Sequence, residues 1–268
     1  MLALSKIATF DDLSHPDLNP YVRALLRVED ELKEKGVCPE LPTPMRRWEY
    51  AQALRALDPE SLTPEFSILE VGGSNSLFMP TAMRMWPDVD FTSIEHESWA
   101  HPGNLDYQKR QAPQGVLHQV TTAPEGQWDA VVCISVIENL DWPERGEVVE
   151  RLNSTALSEK TKRESLAEAG HSFMTMFVED ELAPKVRKGG VLFLTSDLGD
   201  RLIDDYHWHW MRPPGIWTPE CWQVLMQQLC AREQGRPQFE PIEKFDFSWP
   251  GPAYLGYSFA SMALRRIR

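Results

Sequence analysis

No stretch of this 268-residue chain approaches the roughly 18 consecutive apolar residues that span a bilayer, so no membrane span is expected. Cysteine is scarce. Cys38, Cys133, Cys221 and Cys230 form no CxxC pair and show no metal-like spacing with histidine, which excludes a disulfide framework or a zinc ribbon. The chain also opens without a charged-then-apolar leader, so the expected compartment is a reducing cytoplasm. Positive charge is short as well: 27 Lys and Arg stand against 40 Asp and Glu, a formal net charge of −13. Partners held by phosphate neutralisation need a basic face, and here the cations are scattered, so nucleic acid is not the expected partner. There is no internal repeat and no long low-complexity tract.

What is present is 42% hydrophobic and 25% charged, enough for one large α/β domain with additions or for two small domains. One domain at 63–268 with an N-terminal helical extension at 1–62 is expected. In the extension, Pro20-Tyr21 opens a segment with Val22, Leu25, Leu26 and Val28 on one side. A second segment from Met45 to Leu57 carries Trp48, Ala51, Leu54 and Leu57, and the proline-rich joint from Pro39 to Pro44 separates the two.

From Phe66 the rhythm changes to short apolar runs alternating with longer mixed segments, the pattern of βαβ units and a parallel sheet. Strands are predicted at Ser67 to Val71, Asp90 to Ile94, Val116 to Val120, Ala130 to Ile134 and Val191 to Thr195. Helices are predicted at Met79 to Trp86, at Met174 to Ala183, and from Thr218-Pro219-Glu220 through Leu229, where a cap precedes a proline. Ile242 to Phe247 and Tyr254 to Leu264 alternate like a closing antiparallel pair. Residues 146–172 are polar and read as an inserted helix pair or mobile lid.

Two features carry chemistry. Glu70-Val71-Gly72-Gly73-Ser74-Asn75-Ser76 follows the first predicted strand. A tight glycine turn there lets a nucleotide-like ligand approach the backbone near a helix N-terminus. Glu95 ends the next predicted strand, and a carboxylate at that place can accept both vicinal hydroxyls of a ribose. The bland alternatives are a ligand-free turn and a surface acid.

The order of segments resembles the class I S-adenosylmethionine-dependent methyltransferases. Ile68-Leu69-Glu70-Val71-Gly72-Gly73 resembles their first motif and Ser93-Ile94-Glu95 their acid-ended second strand. Trp128 to Asn139 resembles their fourth strand and its exit, and Val186 to Thr195 resembles the glycine turn feeding the fifth. Trp217-Thr218-Pro219-Glu220 is similar to a helix opening of the branch that modifies small molecules and lipids. The resemblance covers about residues 66–264. It implies a three-layer, doubly wound α/β fold, Rossmann-like, with a mostly parallel seven-stranded sheet. It further implies S-adenosyl-L-methionine as cofactor and methyl transfer to a small-molecule, lipid or sugar-like acceptor.

Carried over by position, Glu70, Gly72, Gly73 and Ser74 frame the methionine end, Glu95 holds the ribose and His96 flanks the adenine. Thr122 and Ala123 meet the adenine edge, while Ile134 and Ser135 lie beside the sulfonium. The family's usual glycines fall at Gly72, Ser74 and Ser76, so one of the three is kept, and its usual adenine acid is Thr122 here. These departures support a catalytically inactive interaction or assembly module as an alternative. A nicotinamide-dependent oxidoreductase is a second alternative, weakened because no G-x-G-x-x-G follows the first strand.

A base is optional for methyl transfer from a sulfonium, unless the acceptor carries a proton. His207 and His209, within Asp204 to Trp210, and Glu138 are the candidates; a histidine base would suit an oxygen acceptor. A histidine between tryptophans is also often merely packed, and Glu138 could simply be an acid at a helix N-terminus. His207, His209 and Asp205 match no familiar zinc spacing, so no metal is expected. Trp208, Trp210, Trp217 and Trp222 line an apolar pocket or form core under a loop.

Overall fold

Residue-by-residue alternation in the apolar runs builds a sheet covered on both faces. The computed structural model describes residues 1–35, 45–57, 62–63, 65–73, 76–94, 116–117, 123–140, 145–199, 217–231, 235–252 and 258–268. Its strands are β1 (Ser5–Ile7), β2 (Ser67–Val71), β3 (Asp90–Ile94), β4 (Val116–Leu117), β5 (Trp128–Ile134), β6 (Val186–Leu198), β7 (Phe239–Pro241), β8 (Phe245–Asp246) and β9 (Ser258–Arg266). Its helices are α1 (Asn19–Glu34), α2 (Arg46–Ala56), α3 (Phe78–Met85), α4 (Arg145–Asn153), α5 (Glu159–Met176) and α6 (Pro219–Cys230).

The sheet order is β4-β3-β2-β5-β6-β9-β1-β8, with β7 also pairing β9. Strands β4, β3, β2, β5 and β6 run parallel, and β9 runs antiparallel to β6, β1 and β7. The fold is thus a mostly parallel α/β sandwich. The expected seven strands are β2 to β7 with β9; β1 is an addition that no sequence signal announced, and β8 falls inside the run expected at 242–247, so that run and β7 share the place of one expected strand. The closing pair also shifts. β9 is met by β7, extended by the Ile242 N–H to the Ala263 carbonyl, whereas the 242–247 run supplies β8, which pairs β1 in parallel. The parallel part runs outward from β2 to β3 and β4, then returns to β5 and β6 on the other side. The strand order therefore reverses between β2 and β5.

Parallel strands covered on both faces read as unbroken apolar runs, and β5 is buried along its whole length. Ile68, Ala130, Val132 and Phe193 pack with residues of α1, α2 and α3, whereas Leu69, Val131, Leu192 and Leu194 pack with residues of α5 and α6. Helix α6 starts where expected: the Thr218 hydroxyl accepts the Cys221 N–H and Pro219 needs no partner for a missing donor. It buries Trp222, Leu225, Met226 and Leu229 at helical spacing. The polar stretch after residue 145 forms α4 and α5. Ser158 caps α5, which continues through a π-helical segment at Phe177–Leu182, so the helix expected from Met174 is the end of a longer one.

At the N-terminal edge of the sheet, Asp129 accepts the Ser67 N–H at 3.0 Å and pairs with Arg187. Between the Trp128↔Val186 and Ala130↔Val191 pairs, the Lys188-Gly189-Gly190 segment bulges from β6. The part of the strand motif that begins with Asp129 therefore stitches the edge opposite the strand exits.

Phe193, fully buried in β6, is expected to cost about 3–5 kcal/mol of unfolding free energy when changed to Ala, read from urea denaturation. Phe10→Ala, at a side chain 71% exposed, is the control, expected within about 0.5 kcal/mol of wild type.

Candidate functional site

Parallel strands deliver their last residues to one rim, and the turn after β2 lies at the reversal of strand order. Gly72 takes φ +76°, a conformation that strains any residue with a Cβ, and its N–H donates to the Ile94 carbonyl at 2.7 Å. A Cβ on Gly72 would lie 2.2 Å from Val136 Cγ2, so the turn is packed directly against the exit of β5. A Cβ on Gly73 would meet the Ser93 hydroxyl at 2.6 Å and a Glu70 carboxylate oxygen at 2.7 Å. The buried Glu70 therefore lies under the turn. Ser76 accepts the Phe78 N–H at 2.9 Å and so supports the start of α3.

The exit of β5 is built around a second special conformation. Ser135 is the non-glycine residue at positive φ, +50°, among the described residues. Its N–H donates to the Thr195 carbonyl at 3.1 Å and its hydroxyl donates to Glu49 Oε1 at 2.5 Å. The Thr195 hydroxyl donates to the same Oε1 at 2.5 Å, and Arg46 donates to Glu49 Oε2 at 2.9 Å. One fully buried carboxylate of α2 thus ties the helix to the ends of β5 and β6. Arg46 also lies 5.1 Å over the Phe259 ring and 4.0 Å from Asp197 Oδ1.

Two more acids complete the cluster. Glu138, in the 3-10 turn Ile137–Asn139, and Asp197, near the end of β6, are both buried. The Ser196 hydroxyl donates to Glu138 Oε2 at 3.2 Å. Glu138 Oε1 and both oxygens of Asp197 have no hydrogen-bond partner among the described residues. Burial foremost, then the Asp197 carboxylate, pushes the Glu138 carboxyl well above its usual range, against the pull of Arg46. Burial likewise pushes Asp197 up to about 7, with Arg46 pulling down and Glu49 adding to the rise. Arg46 is matched by Glu49, so the other two carboxyls keep protons or need a further cation. Among the described residues no three His, Cys, Asp or Glu side chains are gathered as metal ligands.

The predicted residues Glu70, Gly72 and Gly73 thus come together with the β5 exit that holds Ile134, Ser135 and Glu138. Ala123 is buried in the core layer that contains Leu69, Val71 and Ile94. Ser74, Glu95, His96, Thr122, His207 and His209 lie outside the described residues, as do Trp208 and Trp210. Trp217 and Trp222 are fully buried core residues in edge-to-face contact at 5.6 Å. Sequence reading missed Arg46, Glu49 and Asp197. The sole hint was charge inside the segment from Met45 to Leu57, which the structure buries on nearly every side.

A separate pair stands on the α5/α6 face. The Cys221 Sγ is 3.3 Å from His171 Nδ1, and His171 stacks on Trp217 with ring centroids 5.2 Å apart. Burial raises the Cys221 thiol, but hydrogen bonds from His171 and Thr218 outweigh it, so the thiol lies below its usual range.

No protein-family model and no curated protein sequence matches the chain. Solved structures with a similar backbone layout include Pyrococcus horikoshii TYW2 in complex with MeSAdo, at 9% identity and TM-score 0.44, covering 84% of this chain and 63% of that one. A SAM-dependent methyltransferase from Aquifex aeolicus matches at 11% identity and TM-score 0.45, covering 90% and 98%. Another, from Thiobacillus denitrificans in complex with S-adenosyl-L-homocysteine, matches at 13% and 0.40, covering 75% and 66%. The chain spans 63–64% of the length of the two P. horikoshii structures it matches. These values describe a distant likeness of fold and nothing of the site.

Asp197→Asn tests the charge imbalance. Raised from an ordinary 3.8 to about 7, the carboxyl binds its proton more tightly in the folded chain, so wild-type stability falls as pH rises between those values. The variant does not share that loss. Its melting temperature relative to wild type is expected to climb from pH 4 to 7 and then level off; a flat difference contradicts the assignment. Cys221 is expected to react with iodoacetamide several-fold faster than Cys230, whose thiol burial raises, in peptide mapping at pH 7. His171→Gln should remove most of that difference.

Proposed function

We propose that the chain is an S-adenosyl-L-methionine-dependent methyltransferase acting on a small-molecule, lipid or sugar-like acceptor. The observation that carries this reading is the bare glycine turn at the reversal of strand order, where Gly72 at φ +76° abuts Val136 at the exit of β5. Ligands of open α/β sheets bind beyond the carboxyl ends of the strands at such a point. Side chains are excluded at Gly72 and Gly73, so backbone is what the turn can offer a ligand, which fits the cofactor's methionine end. Glu70, Gly72, Gly73 and Ser74 would hold that end, Glu95 the ribose, and His96, Thr122 and Ala123 the adenine. Ile134 and Ser135 would flank the sulfur.

Bound there, the cofactor supplies a methyl group on a good leaving group, so the protein's task is alignment. Ser135 is held rigidly for that task by Glu49 and Thr195. Where the acceptor carries a proton, as an oxygen acceptor does, His207, His209 and Glu138 are the proposed bases. Asp197, poised near neutral pH, joins them.

The test is thermal denaturation of the full chain with ligand. S-adenosyl-L-homocysteine at a hundred times its Kd is expected to stabilise the fold by about 2.7 kcal/mol, and NAD to leave it unmoved. Stabilisation by NAD would point to the oxidoreductase, and no shift with either to an interaction module. Glu95→Ala is expected to weaken cofactor binding about tenfold or more, since charged hydrogen bonds contribute about 1.5–3 kcal/mol; equal binding would show that the ribose is held elsewhere.

A further inference from the structure

The buried acids at the ends of β5 and β6 leave three acceptors without a donor among the described residues: Glu138 Oε1, Asp197 Oδ1 and Asp197 Oδ2. Asp197 is fully buried and Glu138 is 4% exposed, so water is kept from most of their surface. The nearby cation does not meet the need. Arg46 is engaged by Glu49 at 2.9 Å and stands 4.0 Å from Asp197, beyond hydrogen-bond reach. Unsatisfied buried carboxylate oxygens are costly, and their retention calls for a partner or a task.

We propose that Glu138 and Asp197 form a subsite for a cationic nitrogen, the ammonium of an amine-bearing acceptor. The name acceptor rests on the methyltransferase reading; the subsite itself does not. An ammonium brings up to three N–H donors and one positive charge, which matches three open acceptors and a surplus of negative charge. A hydroxyl brings one donor and leaves the charge surplus. An anion is repelled, and the described acids are not arranged as metal ligands. The subsite lies at the exit of β5, three residues along the chain from Ser135, so an amine held there would bring its own molecule to the proposed methyl-transfer rim. The methylated atom can be a neighbouring oxygen on the same molecule, or that nitrogen once Glu138 or Asp197 has taken one of its protons and freed its lone pair. With no amine bound, protons held on the raised carboxyls cover the charge.

The experiment is calorimetric titration of the full chain, with and without S-adenosyl-L-homocysteine, using matched probes: ethylamine and ethanol, benzylamine and benzyl alcohol, phenethylamine and phenethyl alcohol. In at least one pair the amine is expected to bind about tenfold or more tightly than the alcohol, the scale of one charge-assisted hydrogen bond. That preference should vanish in Asp197→Asn and in Glu138→Gln, both isosteric and both checked for folding by circular dichroism. No amine binding, equal binding of amine and alcohol, or a preference surviving in both variants overturns the proposal. The S-adenosyl-L-homocysteine arm separates the two readings. Binding of S-adenosyl-L-homocysteine without amine preference removes the subsite alone, whereas amine preference without S-adenosyl-L-homocysteine binding removes the methyltransferase reading and leaves the subsite standing.

Discussion

The buried Glu49 carboxylate holds the candidate site in shape. It receives Arg46 from its own helix and two hydroxyls, Ser135 and Thr195, from the ends of neighbouring strands. Helix α2 is thereby fixed to the rim of the sheet by charge and not only by packing. Removing one partner from a buried, hydrogen-bonded ion pair commonly costs about 3–5 kcal/mol, because the other charge is left without compensation. Ser135 is held at a positive φ by the same bonds, and strain of that kind persists only where the surroundings over-determine it.

That arrangement has a cost a few ångströms away. With Arg46 neutralised by Glu49, the carboxyls of Glu138 and Asp197 have no cation within hydrogen-bond reach among the described residues. A core built for stability alone would place apolar or hydrogen-bonded groups there. Local instability concentrated at the exits of parallel strands is the usual mark of a surface that works on another molecule, since those exits are where open α/β sheets receive ligands.

The glycine turn complements this rim from the other side of the strand reversal. Its two glycines are demanded by close packing, Gly72 against Val136 and Gly73 against Glu70 and Ser93. Serine at position 76 is accommodated because its hydroxyl takes an N–H at the start of α3. The serine thus carries a local structural role.

Strands at Ser67–Val71, Asp90–Ile94 and Ala130–Ile134 were legible in sequence because strands covered on both faces are rich in apolar residues, and this is a local property; the structure starts the last of them two residues earlier, at Trp128. The cap of α6 was legible for the same reason: Thr218 and Pro219 act within one turn. The glycine turn was visible as a place where a ligand could approach, but not its partner Val136, which lies just past the end of β5 and far along the chain. Strand β1 was hidden because three residues, Ser5–Ile7, carry too little pattern to distinguish a strand until β9 lies beside them. Glu49 and Asp197 were hidden for a deeper reason. Sequence determined that α2 carries Arg46 and Glu49 one turn apart, and that an acid follows the apolar run of β6. Only the tertiary structure decided that these charges are buried together. A charge acquires its meaning from the medium and the neighbours around it, and both are set by parts of the chain distant in sequence.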